Sequence, residues 1–247
     1  MLSRRVLLLT LASLAAGRSG GARAATPLWV SGEVPPYLWR GAEGPQGYAF
    51  ELFQRVTGQA GVKAELRFYP WARALRMLQA GQAEAALVIT RTPQREGQYR
   101  WLFPVGNFRF ALVTRAADKP VSSDISALKE RRIGSMRASA SQGMLAEAGV
   151  SHVVEGKDYA ELLVLLRRGL VDAVIAPDSV MKNVGTAGAS GDLHLTLLDQ
   201  GRELYAAAGA TMPDATVQRI RAAYQHLVDS GVVGQLKKRH PDAFYDD

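Results

Sequence analysis

One short pattern occurs twice in the chain. Leu78-Gln79-Ala80-Gly81-Gln82-Ala83-Glu84-Ala85-Ala86-Leu87 returns 88 residues later as Leu166-Arg167-Arg168-Gly169-Leu170-Val171-Asp172-Ala173-Val174-Ile175. Each copy closes a helical pattern at a glycine, places an acid, and then begins a buried apolar run. Two copies in similar surroundings predict two related α/β lobes rather than one barrel. The 247 residues leave about 100 for each lobe, enough for a core in either.

The rest of the chain agrees with that reading. Leu28 to Val30 and Leu66 to Tyr69 read as strands, and Ala85 to Thr90 as a strand covered on both faces. The spacing of Phe50, Phe53 and Val56 predicts a helix stopped by Gly58, and Trp71, Leu75 and Leu78 mark another. Two extended segments, Asn107 to Thr114 and Glu203 to Ala210, read as crossovers between lobes, followed by a helix from Ala215 to Asp229. The expected fold is therefore α/β, largely parallel, with a discontinuous first lobe (25–110 and 206–247), a second lobe (111–205) and two hinge crossovers. A cleft between such lobes is a natural ligand site.

Residues 1–24 contain Arg4, Arg5, Arg18 and Arg23 and no acid, and a short apolar run from Val6 to Ala16 precedes Ala22-Arg23-Ala24. This is the pattern of a cleaved export signal, of either the general secretory or the twin-arginine kind. Without it, 26 bases face 23 acids, so the balance offers nucleic acid no partner surface. Zero cysteine excludes disulfides, thiolate metal sites and thiol nucleophiles, and also a lipid anchor on cysteine. The four histidines show no metal spacing, and no phosphate-cradling or dinucleotide motif is present, so no metal or cofactor is expected.

The candidate site residues follow from the lobes. The repeat places Thr90 and Asp178 at equivalent strand ends, where ligands of α/β sheets collect. Thr90 could equally tie off its strand, and Asp178 could cap the next helix. Thr92-Pro93 reads as a helix start, and Arg95 stands where Glu or Gln would suit the dipole. Arg95 either grips a ligand carboxylate or pairs with Glu96 or Glu51 on the surface. Arg137, Ser139 and Ser141 fall between a strand and a helix, as anion-binding groups or as an ordinary serine cap. Tyr37 and Trp71 offer flat walls or core packing, and Glu33 meets an ammonium or faces water.

These residues resemble the bacterial extracellular solute-binding proteins of family 3, best known for polar amino-acid import. The motifs are Pro35-Pro36-Tyr37, Gly47-Tyr48, Leu78-x-x-Gly81, Thr90-Arg91-Thr92-Pro93-Gln94-Arg95, Ile133-Gly134 with Arg137 and Ser139, and Val171-Asp172-Ala173-Val174. The resemblance implies a periplasmic protein, monomeric, that binds a small ligand and delivers it to an ABC permease in the inner membrane. It implies that Arg95 holds a ligand carboxylate helped by Thr90, that Tyr37 stacks on the ligand, and that Arg137, Ser139 and Ser141 contribute from the second lobe. Amino-acid binders of the family usually end the second-lobe strand with an acid for the ligand's ammonium. Pro177 stands there, with Asp178 one position later, so either Glu33 substitutes or the ligand lacks an amine. Two other functions fit the same resemblance: a dehydratase-like enzyme working in this cleft, and a sensory subunit for a membrane kinase.

Overall fold

The computed structural model describes residues 26–118, 122–185 and 191–244; the expected leader, 1–24, lies outside them. In chain order the first elements are β1 (Leu28–Ser31), β2 (Trp39–Gly41), β3 (Gly44–Gln46), α1 (Tyr48–Gln59), β4 (Glu65–Phe68), α2 (Trp71–Gln79) and β5 (Ala85–Thr90). Then come β6 (Arg100–Arg115), β7 (Ile133–Met136), α3 (Ala140–Glu147), β8 (Val153–Gly156), α4 (Tyr159–Arg167) and β9 (Ala173–Pro177). The last are α5 (Asp178–Gly185), β10 (Leu193–Ala208), α6 (Asp214–Asp229) and α7 (Val232–Arg239).

Eight strands form one sheet in the order β4-β1-β5-β10-β6-β9-β7-β8. Its flanks are parallel, as expected, but its centre is antiparallel. The chain leaves the first lobe along β6 and returns along β10, so these two strands must run in opposite directions. Strand β5 pairs with the later part of β10, at Leu204 to Ala208, whereas β9 pairs with the later part of β6, at Phe110 to Val113. The two-lobed α/β fold thus follows from two 16-residue strands that pair with each other and carry one flank apiece, β10 the first lobe's and β6 the second's.

The repeated pattern has a structural cause. At Gly81 (φ 70°) and Gly169 (φ 71°) the chain enters the left-handed region that only glycine adopts freely. In both copies the glycine N–H and the next N–H turn back onto helix carbonyls: Gly81 to Leu78 and Gln82 to Met77, Gly169 to Leu166 and Leu170 to Leu165. The acid that follows then joins a neighbouring strand through its backbone, Glu84 to Leu28 and Asp172 to Arg132. The helix α1 corrects one expectation, because it runs through Gly58 and stops at Gly61 (φ 61°), where the same pair of bonds forms.

Burial follows the pleat. Trp29 of β1 packs with Phe53 and Phe103 on the α1 side, while Val30 packs with Ala74, Leu75 and Leu78 of α2 on the other. In the second lobe Val174 and Ala176 meet Leu162, Leu163 and Leu166 of α4.

Candidate functional site

Strand β5 carries a defect that shapes the site. Between the pairs Ile89↔Tyr205 and Ala86↔Ala207, Leu87 and Val88 face the single residue Ala206, which makes a β-bulge. Val88 sits there at φ 64°, a strained conformation for a β-branched residue. Leu87 and Val88 consequently share the α1-side core, and Ile89 falls to the α2 side with Ala86. Without the bulge, strict alternation would put Val88 and Thr90 on the α2 side with Ala86. With it, both line a cavity between the lobes. The ladder from β1 ends at Val30↔Ala86, and the buried Ser31 hydroxyl donates to the Leu87 carbonyl beyond it (2.6 Å).

This inner cavity, of about 40 Å³, takes Thr90, Arg95 and Trp71 from the first lobe and Met136, Ser139 and Pro177 from the second. Phe108 and Phe110 of β6 and Leu204 of β10 line it from the crossovers. Val34, Trp71 and Met136 also border an outer cavity of about 320 Å³ whose other walls include Glu33, Arg40, Phe68, Tyr69 and Lys157.

Arg95 occupies a single 3-10 turn, Pro93–Arg95, rather than the start of a longer helix, and Thr92 makes no side-chain cap. Its guanidinium donates to the carbonyl of Thr90 (2.9 Å) in its own lobe and to that of Ala138 (3.0 Å) in the other. Trp71 Nε1 donates to the same Ala138 carbonyl (2.9 Å). Ala138 adopts φ 58°, and its N–H is held by Gln142 Oε1 (2.9 Å), an arrangement that turns the carbonyl toward the first lobe. Burial pulls the Arg95 guanidinium below the ordinary arginine value, and among the described residues no carboxylate pairs with it. A partly desolvated cation bonded only to neutral carbonyls favours an anion beside it.

The structure brings Trp71, Thr90, Arg95 and Ser139 together around the inner cavity and leaves Glu33 at the outer one. Glu33 pairs with Arg40 (3.2 Å) where both are half exposed. Ser141 is buried just behind, its hydroxyl 2.7 Å from that of Ser139 and 2.8 Å from that of Ser135. Arg137 turns away: Met136 faces the cavities, so its neighbour takes the opposite side and binds Glu155 (2.8 Å). Tyr37 is fully buried and lines neither cavity. Its hydroxyl donates to the Asn107 carbonyl of β6 (2.8 Å) and lies 2.7 Å from the Ser179 hydroxyl of α5, so it ties a crossover to the second lobe. Pro177 lines the inner cavity, while the buried Asp178 carboxylate accepts the Arg109 backbone N–H (3.1 Å).

Sequence reasoning missed the apolar wall of Val88, Phe108, Phe110, Met136, Tyr159 and Leu204. The signal that could have found Phe108 and Phe110 was their place in a crossover, since a segment between lobes must border the cleft. Nothing local marked Ala138.

The family model for bacterial extracellular solute-binding proteins, family 3, matches residues 28–240. The chain belongs to this family. The motif resemblance read from the sequence is thereby shown, and the solute-binding protein is a member of a ligand-binding family. A histidine kinase sensor domain with similarity to periplasmic binding proteins is alike in structure, with TM-score 0.79 and 20% identity over 87% of this chain and 96% of that one. The arginine-, lysine-, histidine-binding protein ArtJ from the thermophilic bacterium Geobacillus stearothermophilus gives TM-score 0.76 and 18% identity over 87% and 94%. An ancestral arginine-binding protein bound to glutamine gives 0.76 and 20% over 87% and 97%. No curated protein sequence matches the chain. At these identities the structural likeness concerns the two-lobed fold.

Proposed function

We propose that the protein is a periplasmic binding protein that captures a small, carboxylate-bearing solute between its lobes for uptake by an ABC permease, without catalysing a reaction. The observation that carries this reading is Arg95, which lines the interlobe cavity and contacts backbone carbonyls of both lobes. A carboxylate beside it would join charge-assisted bonds to a bridge between the lobes and so favour the closed form. Thr90 and Ser139, which line the same cavity, would add hydroxyl contacts. Trp71 would flank the ligand where the two cavities meet, with Glu33 in the outer one, and Ser141 would hold Ser139 in place. Tyr37, Arg137 and Asp178 support the site through the hinge, the Ala138 loop and α5. The lobe boundaries of this reading, 25–110 with 206–247 and 111–205, are supported by the register, which hands β6 to β9 at Phe110 and β10 to β5 at Leu204.

A thermal-unfolding screen of the exported chain tests it, with amino acids, organic acids, sugars, polyamines and metal ions. A ligand at 100 times its dissociation constant adds about 2.7 kcal/mol, or about 5–10 °C for a chain of this size. The expected hits all carry a carboxylate. Hits confined to sugars, polyamines or metals would contradict the reading.

A further inference from the structure

We propose that the ligand is an organic acid without an α-ammonium group, whose flat apolar body extends from the inner cavity into the outer one. This rests on the carboxylate reading of Arg95 and goes beyond it by naming the ligand class.

The argument concerns what an α-substituent would meet. A carboxylate on Arg95 places its α-carbon within the inner cavity, against Val88, Phe108, Phe110 and Leu204. An ammonium there needs acceptors for three N–H bonds and an opposite charge nearby. Among the described residues no carboxylate lines this cavity. Pro177 fills the end of β9, and the Asp178 carboxylate is turned to the backbone of Arg109. The Ala138 carbonyl already accepts from Trp71 and Arg95, which uses both of its lone pairs. The hydroxyls of Ser139, Ser141 and Ser135 bond one another, so Ser139 and Thr90 offer an ammonium uncharged lone pairs but no opposite charge. The one charge on the lining of this cavity among the described residues is the Arg95 guanidinium itself, which repels a second cation, whereas Glu33 and Asp158 border the outer cavity. An ammonium would therefore lose its hydration with little in return.

Size points to where the body goes. About 40 Å³ takes only a few water-sized groups, so the acid end fits in the inner cavity and the rest of the ligand does not. The outer cavity, about 320 Å³, reaches the range of small-molecule sites and shares Trp71 and Met136 with the inner one. Phe68, Tyr69 and Pro70 continue the wall from Trp71, with Arg40 5.1 Å over the Phe68 ring and Glu33, Lys157 and Asp158 at the rim, which suits a planar apolar group edged by charge.

The test is titration calorimetry with two pairs of probes differing only in the amine: 3-phenylpropanoate against phenylalanine, and 4-methylpentanoate against leucine. The expected result is tighter binding of each amine-free acid by about tenfold or more. In Pro177→Asp, whose new carboxylate would enter the cavity beside the α-carbon, the preference should fall or reverse. Arg95→Ala, checked by circular dichroism for folding, reports on the underlying reading. If the amino acids bind more tightly and Arg95→Ala weakens them, the carboxylate site stands and the amine-free class is wrong. If amine-free acids bind equally well to Arg95→Ala and wild type, the Arg95 reading fails and takes this inference with it. Binding of neither member of either pair overturns the ligand class, leaving the carboxylate reading to the broader thermal screen.

Discussion

The bulge in β5 can be tested through the Ser31 hydroxyl that bonds to it. Ser31 is fully buried, and its Oγ donates to the Leu87 carbonyl at 2.6 Å, just where the β1–β5 ladder has ended. In Ser31→Ala the shape is nearly unchanged, so no cavity cost enters. What remains is a buried carbonyl that loses this donor, at a cost of about 1–3 kcal/mol. For a chain of this size, that lowers Tm by about 2–12 °C. Calorimetry or circular dichroism reads the shift, and hydrogen exchange should rise locally around Leu87 and Val88. Because the bulge sets which way Val88 and Thr90 face, ligand affinity should fall as well. A Tm within about 1 °C of wild type, with unchanged exchange, would refute the claim that Ser31 holds the bulge.

Other perturbations have clear signs. Trp71→Phe removes one of two donors to the Ala138 carbonyl, worth about 0.5–1.5 kcal/mol, and should shift the lobes toward the open form by about 2- to 13-fold; small-angle scattering should show a larger radius of gyration, and an unchanged one would count against the contact. Gly106→Ala adds a Cβ 2.6 Å from the Tyr37 ring at φ 148°, so it should cost about 2 kcal/mol or more in chemical denaturation. The Arg132 hydrogen bond holds the Asp172 carboxyl below the usual aspartate value. Its folded pKa lies under its unfolded one, so its stabilisation is present above the unfolded value and lost as pH falls through the folded one. Tm should therefore fall below about pH 4, and less so in Arg132→Gln.

Much of the fold was legible because local and tertiary signals coincide. The stops at Gly81 and Gly169 need a left-handed residue, and the apolar runs after them need two covered faces. Both demands leave marks in sequence. The strand read at Ala85 to Thr90 matches the one observed. Gly58 misled because a second glycine three residues on makes the actual turn at Gly61. The antiparallel centre came from pairing between residues about 100 apart, which no local pattern records.

Of the residues named from the sequence, Trp71, Thr90, Arg95 and Ser139 line the inner cavity, whereas Glu33, Arg137 and Asp178 do not, and most of the apolar wall was not named. Arg95 stood out because a base is unfavourable at a helix start, although the structure gives it only one 3-10 turn. Ala138 gave no sign, since its role lies in a backbone carbonyl turned by φ 58°. Tyr37 followed two prolines and read either as a wall of the cleft or as core packing, and the resemblance implied the wall. Its ring instead covers Gly106, where any side chain would collide with it, and its hydroxyl finds partners inside. Polar partners supplied by distant strands cannot be read from the residues beside a tyrosine.

The most direct measurement is the affinity of wild type and Arg95→Ala for a ligand selected by the thermal screen, by titration calorimetry on samples shown to be folded. Loss of a charge-assisted pair in a partly desolvated site predicts a Kd raised by more than about tenfold. An unchanged Kd would contradict the claim that this protein holds its ligand by a carboxylate at Arg95.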